Sequence, residues 1–355
     1  MEETLELKQK QEIAPKMSKK RIAWIDFAKF IGILLVIIGH RVGIRELNMV
    51  IFSFHVPVFF ILSGITFSFS TDAKSFGKKT LKRFCRLMIP YFIAIIAVYI
   101  VVIIRTPSQA SSLKFWTYQF YRLIGYSSAN FLSTHALWFL LALFVSSTIF
   151  DLLHLACKDN DWFLGILSGI LALIGVILGK LEYVMPLSLD VSIAVVIFLF
   201  IGYKLKNFDF GKKPLVRNIV LLIVWVATMA IMWHSTANGA YMAIGNRRYT
   251  LFPICYICAF AGSMLFLQVI YWIEKYLPKV MTQPFSFLGQ YTLYMVCIHG
   301  FDQFTFKYWF KVSENTHINN LIYFAVGTAM FFVVLGADLI IHYLMKQKRA
   351  NVKEA

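Results

Sequence analysis

Three ionisable residues stand within the first long apolar stretch of the sequence: Asp26, Lys29 and His40. Charged and imidazole side chains are costly in such surroundings, so each is a candidate for function. On a helix, Asp26 and Lys29 share a face, where their charges can neutralise each other. His40 comes 11 residues after Lys29, which returns it to within about 20° of the same face and about 16 Å further along the axis. One face therefore presents a cation near one end and an imidazole near the other.

Further imidazoles lie at comparable positions in later apolar stretches. His55 is near the start of the second stretch, His135 and Trp138 open the fourth, and His299 lies in the ninth, about 21 Å from its beginning. Asp302 follows His299 by three residues and is placed to hold one imidazole tautomer. If successive stretches cross a membrane in alternate directions, these histidines share one depth with the histidine of the first stretch. We therefore predict a site in which two or more of them meet.

Proton transfer or nucleophilic attack is the chemistry that such histidines favour. The reference pKa of imidazole, about 6.5, lets it take the proton of a hydroxyl that is otherwise a poor nucleophile. An imidazole can also carry an acyl group covalently. No apolar stretch pairs two ligands at i, i+4, the spacing of helical metal sites, so we predict no metal site.

A strongly basic segment, 78–91, leads into the third apolar stretch and contains Arg83 and Arg86. One interpretation is contact with lipid headgroups and control of topology, which basic loops commonly provide. The other is a phosphate site, because guanidinium groups bind phosphate bidentately and the start of a helix adds amide donors. Both remain open from the residues alone, and both can hold for different residues of the segment.

The elements that must position these residues are membrane helices. The chain is 59% apolar and 15% charged, with a mean hydropathy of +0.68, whereas a soluble domain is about 25% charged. Crossing about 30 Å of hydrocarbon takes roughly 20 apolar residues. Ten such stretches are found, and they predict an all-α polytopic membrane bundle of about ten transmembrane helices. They run near 22–43, 49–70, 87–105, 136–153, 162–179, 189–203, 218–234, 250–273, 285–303 and 320–345.

The formal net charge of +17 is explained by the orientation of this bundle. With the N-terminus inside, about 24 basic residues fall on the cytoplasmic side and about 10 on the outside, as the positive-inside rule requires. Both termini are therefore expected in the cytoplasm, and the charge does not indicate binding to nucleic acid. The predicted parts are a basic cytoplasmic segment (1–21), a membrane domain (22–345) and a cytoplasmic tail (346–355).

Five patterns in the sequence resemble the integral-membrane acyltransferase-3 family, over nearly the whole chain. The chain is most similar to its fucose 4-O-acetylase-like and capsular polysaccharide O-acetyltransferase branch. Lys29 stands where the family often has arginine, which weakens a bidentate contact to phosphate. No esterase-like domain follows the last stretch, so acyl transfer is expected to finish in the bundle or on a partner. The patterns are Asp26-x-x-Lys29-x10-His40 with Gly39, Phe54-His55-x-Pro57-x-Phe-Phe-x-x-Ser63-Gly64, Arg86-x3-Pro90-Tyr91, Leu137-Trp138-Phe139 and Tyr294-x4-His299.

The resemblance implies transfer of an acetyl group from acetyl-CoA to a hydroxyl of a cell-envelope carbohydrate, such as capsular polysaccharide or exopolysaccharide. Acetyl-CoA is then a substrate, and no bound cofactor is expected. The acceptor is an envelope glycan or a lipid-linked sugar. The protein is expected in the plasma membrane of a bacterial-type cell, in contact with its lipids.

The candidate residues take roles in that reaction. His40 is our first choice as the base, with His55 or His299 assisting or orienting the acceptor. A relay in which a histidine carries the acyl group remains an alternative. Phosphates of the donor call for cations on the cytoplasmic side, and the thiol arm of the donor would bridge the distance from Lys29 to His40. The predicted set for donor or substrate binding is Asp26, Lys29, Arg83, Arg86, His135 and Trp138.

A second function class also suits the sequence: a transporter or flippase for a lipid-linked envelope precursor. Ten spans with buried charges are compatible with it. Many transporters are built from repeats, however, and the two halves of this sequence show no similar pattern. Acyl transfer is therefore the preferred prediction.

Overall fold

The computed structural model describes residues 21–42, 44–125, 135–212, 215–235, 241–309, 313 and 316–354. Nearly all of these residues are helical, and the part described contains no strand beyond a single antiparallel bridge between Ala243 and Arg248. Residues 1–20 of the predicted N-terminal segment lie outside it. The helices are α1 (Ala23–Val42), α2 (Arg45–Phe52), α3 (His55–Ile65), α4 (Ala73–Arg105), α5 (Pro107–Ala110), α6 (Leu113–Gly125), α7 (Trp138–Cys157), α8 (Asp161–Lys180), α9 (Leu189–Lys204), α10 (Leu215–Ser235), α11 (Ile254–Tyr276), α12 (Lys279–Leu288), α13 (Thr292–Trp309) and α14 (Thr316–Glu354).

Within the described ranges, nine helical stretches are long and apolar enough to cross a membrane. Each overlaps one of the ten predicted spans, and the second of them comprises both α2 and α3. The prediction of an all-α polytopic membrane protein is confirmed. The last stretch belongs to α14, which continues as a helix through the predicted tail as far as Glu354.

The remaining predicted span, 285–303, does not form one continuous α-helix. The chain instead forms α12 and α13, joined by a 3-10 turn at Gly289–Tyr291. Gly289 lies against the backbone of α1, where a Cβ atom would stand 1.8 Å from the carbonyl oxygen of Asp26. Only glycine permits this approach. The polar residues His299 and Asp302 also lower the apolar character of α13.

A second break, between α2 and α3, places His55 at the start of a helix. Pro57 lies in the first turn of α3, where its missing N–H leaves no intrahelical bond unmade. The break turns the chain so that α3 enters the centre of the bundle. There Val58, Phe60 and Ile61 have no exposed surface.

Close packing of two glycines joins α3 to α9. A Cβ atom on Gly64 would lie 2.2 Å from the carbonyl oxygen of Leu199, and one on Gly202 would lie 2.0 Å from that of Ile61. Small residues allow membrane helices to approach closely, and packing then takes the place of the hydrophobic effect that lipid does not supply. The glycine of the Ser63-Gly64 motif therefore has a packing role, which holds the helix that carries His55.

We expect Gly64→Ala to destabilise the protein by at least about 1–3 kcal/mol, because the added methyl group meets backbone atoms that cannot move aside. Thermal unfolding of the purified protein in detergent measures this change. Gly77→Ala is the matched control, since a Cβ atom at Gly77 on α4 meets no atom within 4 Å. Equal melting temperatures for the two variants would contradict the packing role.

Candidate active site

Three of the predicted histidines meet at one cavity. His40 comes from α1, His55 from α3 and His299 from α13, and all three line a cavity of about 130 Å³. The ring centroids of His40 and His299 are 5.4 Å apart. The prediction that histidines of separate spans come together is confirmed.

Phe52, at the end of α2, joins two of these histidines. Its ring centroid lies 5.3 Å from that of His40 and 4.8 Å from that of His55. A Cβ atom on Gly39 would stand 2.6 Å from the Phe52 ring. Glycine at this position therefore lets the aromatic ring lie against α1 and fill the space between the two imidazoles.

The tautomer of His55 follows from its hydrogen bond. Its Nδ1 atom lies 3.1 Å from the carbonyl oxygen of Ile51, and a carbonyl oxygen can only accept, so Nδ1 carries the proton. Nε2 then retains its lone pair. The side chain is buried, and this bond fixes the ring so that Nε2 is available as a proton acceptor.

His299 lies beside an ion pair between α13 and α1. Its Nδ1 atom lies 3.4 Å from Oδ1 of Asp302, and Arg41 Nη2 lies 2.7 Å from the same oxygen. Asp302 is 4% exposed, and the guanidinium compensates its charge. The carboxylate lies beside the imidazole, but within the described residues His299 Nδ1 makes no hydrogen bond. Asp302 was predicted from the sequence as a partner of His299, whereas Arg41 was not. Its position directly after His40 is the feature that could have indicated it.

Apolar side chains line the cavity together with the histidines. Ile33 and Val36 line it from α1, with Phe59 and Val296 from α3 and α13. Ile33 and Val36 share a helix face with His40, because they precede it by seven and four residues. The apolar lining thus extends from the histidines along α1 in the direction of Lys29. Ligand pockets commonly combine such apolar walls with a few convergent polar groups.

Residues 241–249, which we call the roof segment, cover the cavity between α10 and α11. Tyr241 through Asn246 line it. Trp138 is buried and packs against this segment, because a Cβ atom on Gly245 would lie 2.5 Å from its ring. The roof segment was not predicted, because it lies between two apolar stretches and shows no helical or strand period.

Comparison with known families matches residues 22–337 to the acyltransferase domain of the acyltransferase-3 family. The chain belongs to the acyltransferase-3 family. It is a multi-pass membrane acyltransferase, and its histidine cavity lies within the matched domain. No curated protein and no solved structure matches it.

At the other end of α1, the acyltransferase has the predicted contact between Asp26 and Lys29. Lys29 Nζ donates to Asp26 Oδ1 over 3.0 Å, and Arg21 Nη1 lies 3.8 Å from the second carboxylate oxygen. Two cations thus share one buried carboxylate, which leaves a net positive charge. With 11 residues of continuous helix between Lys29 and His40, this charge is about 16 Å from the cavity along the axis.

In the basic segment 78–91, the acyltransferase uses its two predicted arginines differently. Arg83 Nη2 lies 2.8 Å from Oδ2 of Asp151, a carboxylate with no exposed surface. The backbone N–H and the hydroxyl of Ser70 also donate to Asp151, each over 2.8 Å. Arg86 is exposed on the same helix. The predicted residue His135 begins the 3-10 turn that leads into Trp138, and its side chain lies outside the described part.

We expect Asp151→Asn to destabilise the acyltransferase by about 3–5 kcal/mol, because it leaves the Arg83 guanidinium largely buried without a counter-charge. Thermal unfolding in detergent tests this. Asp161→Asn is the control: its pair with Lys204, at 2.8 Å, is exposed, and such pairs contribute about 0–1 kcal/mol. A melting temperature for Asp151→Asn no lower than that of the control would refute the structural role.

Proposed function

We propose that this acyltransferase moves an acetyl group from acetyl-CoA to a hydroxyl of a cell-envelope carbohydrate, in the plasma membrane of a bacterial-type cell. The observation that carries the proposal is the meeting of His40, His55 and His299 in one cavity of an acyltransferase domain. Resemblance to the fucose 4-O-acetylase-like and capsular polysaccharide branch supports a sugar acceptor. The domain match favours acyl transfer over transport of an envelope precursor.

His40 is the proposed base. Its side chain is exposed at the edge of the cavity, where an acceptor can reach it, and its ring contacts His299. As the acceptor oxygen attacks the thioester carbonyl, His40 takes the hydroxyl proton. A C–O bond forms, the C–S bond breaks, and the proton passes to the departing thiolate of coenzyme A. The Nε2 lone pair of His55 is placed to orient the acceptor hydroxyl.

The donor is proposed to bind with its phosphates near Lys29. The net positive charge around Asp26 suits phosphate, and exposed Arg86 adds a cation to the same predicted side. Arg83 contributes indirectly, since its pair with Asp151 fixes the basic segment. The extended thiol arm would then run along the face of α1 past Ile33 to the histidines, over about 16 Å.

A covalent relay uses the same residues in a different order. In that route His40 attacks the thioester and forms an acyl-imidazole, coenzyme A leaves as the thiol, and the acceptor hydroxyl then takes the acyl group. Rapid quenching of the enzyme with radiolabelled acetyl-CoA and no acceptor distinguishes the two routes, because only the relay leaves label on the protein.

Replacing His40 by alanine is expected to lower acetyl transfer by about 10²- to 10⁴-fold, the usual contribution of a general base. Radiolabelled acetyl-CoA is supplied to purified protein with extracted envelope carbohydrate, and label in the carbohydrate is counted. His234→Ala is the control, because His234 is an exposed residue near the end of α10 that does not line the cavity.

Two outcomes would count against these assignments. Full activity of the folded His40→Ala variant would remove His40 from the role of base. Movement of a lipid-linked precursor across vesicles, without acetyl transfer by the wild-type protein, would overturn the proposed function itself.

Lys29→Ala is expected to raise the acetyl-CoA concentration needed for half-maximal rate by about tenfold, which corresponds to the loss of one charged hydrogen bond. Acceptor preference is expected to stay the same. Initial rates over a range of acetyl-CoA concentrations measure the change, with Lys180→Ala, an exposed lysine at the end of α8, as the control. An unchanged donor requirement would argue against phosphate binding at Lys29.

A further inference from the structure

Backbone hydrogen bonds and an ion pair hold the roof segment at the cavity. Ala243 and Arg248 exchange two backbone hydrogen bonds, of 2.9 and 3.1 Å, and the Asn246 N–H donates to the Ala243 carbonyl over 3.0 Å. The guanidinium of Arg247 pairs with Asp190 of α9, which is 1% exposed. These contacts support the segment that lines the cavity, and such support favours recognition of a defined ligand.

Two residues that line this cavity carry buried polar atoms without a hydrogen-bond partner in the part of the chain that the structure describes. Oδ1 of Asn246, on the roof segment, is buried and accepts no hydrogen bond there. Nδ1 and Nε2 of His299 also lack a hydrogen-bond partner, in a side chain that is 1% exposed. Because buried polar atoms are usually satisfied, such atoms on residues of one cavity favour a ligand that carries hydrogen-bonding groups.

Tyr241 adds an aromatic surface beside these atoms. Its ring centroid lies 4.9 Å from that of Phe52, the ring that also contacts His40 and His55. Burial raises the pKa of the Tyr241 phenol, so the hydroxyl keeps its proton at neutral pH and remains a donor. Aromatic residues of this kind offer an apolar face and a polar tip to one ligand.

The chemistry of these groups matches a sugar better than the acyl donor. A pyranose has an apolar C–H face for an aromatic ring and hydroxyls that donate to an amide oxygen. The donor phosphates are proposed to lie near Lys29, about 16 Å from His40 along α1. The roof segment comes after α10 in the chain and lines the cavity beside the histidines. It is therefore placed to contact a ligand that binds at the histidines.

We propose that the roof segment is the acceptor subsite of this enzyme, and that its ligand is a pyranose with neighbouring hydroxyls. In this arrangement Asn246 accepts a hydrogen bond from a hydroxyl next to the reacting one, while the ring of Tyr241 packs against the sugar. The inference rests on the proposed acyl transfer to a carbohydrate, and it adds the residues that select the acceptor.

Asn246→Ala tests the subsite. Purified variants in detergent receive radiolabelled acetyl-CoA and the envelope carbohydrate fraction extracted from the source cells, and the two substrates are varied separately. We expect the acceptor concentration for half-maximal rate to rise about three- to tenfold, the loss of one hydrogen bond. The acetyl-CoA requirement and the rate at saturating acceptor are expected to be retained. Asn207→Ala, an exposed residue between α9 and α10, is the control.

Tyr241 provides a second, independent measurement. Tyr241→Ala is expected to raise the acceptor requirement more than Tyr241→Phe does, because the phenylalanine keeps the aromatic face. An equal rise in the acceptor and donor requirements, together with a lower melting temperature, would indicate a merely structural role and overturn the subsite. Unchanged acceptor requirements for Asn246→Ala and Tyr241→Ala would overturn it as well.

The wild-type reaction separates this inference from the function on which it rests. If the wild-type protein transfers no label to the carbohydrate fraction, the proposed function fails and the subsite fails with it. If the wild-type transfers label and the Asn246 and Tyr241 variants match it at every acceptor concentration, only the subsite is refuted.

Discussion

Compensation of buried carboxylates is the constraint on which this structure depends. An aspartate inside an apolar bundle is costly unless a cation and further hydrogen bonds accompany it. Four aspartates of the described bundle satisfy this requirement with a basic partner, and all four are at most 6% exposed. The pairs are Asp26 with Lys29, Asp151 with Arg83, Asp190 with Arg247, and Asp302 with Arg41.

These pairs also locate the elements of the site. Asp151 connects the basic helix α4 to α7, Asp190 fastens the roof segment to α9, and Asp302 connects α13 to α1. Lipid supplies no hydrophobic force between helices, so specific polar contacts and close glycine packing determine which faces meet. The ion pairs that offset the cost of burying the aspartates therefore also help to position the helices that carry the histidines.

Features encoded by local spacing were predictable from the sequence, and features that depend on distant partners were not. Helical spans follow from apolar length, and the contact of Asp26 with Lys29 follows from their i, i+3 spacing. By contrast, 68 residues separate Arg83 from Asp151 and more than 250 separate Arg41 from Asp302, and no periodic pattern relates them. The break at Gly289 depends on the approach of another helix, so the local sequence favoured one continuous span.

Two neighbouring contacts between α1 and α13 have a consequence for motion. His40 and Arg41 are consecutive, and their partners His299 and Asp302 are one turn apart. Two adjacent contacts therefore join α1 to α13. A shift of one helix past the other by a turn, about 5.4 Å, would separate the imidazoles and the ion pair together. Movements of the helices that accompany transfer of an acyl group through the bundle must therefore either preserve both contacts or break both together.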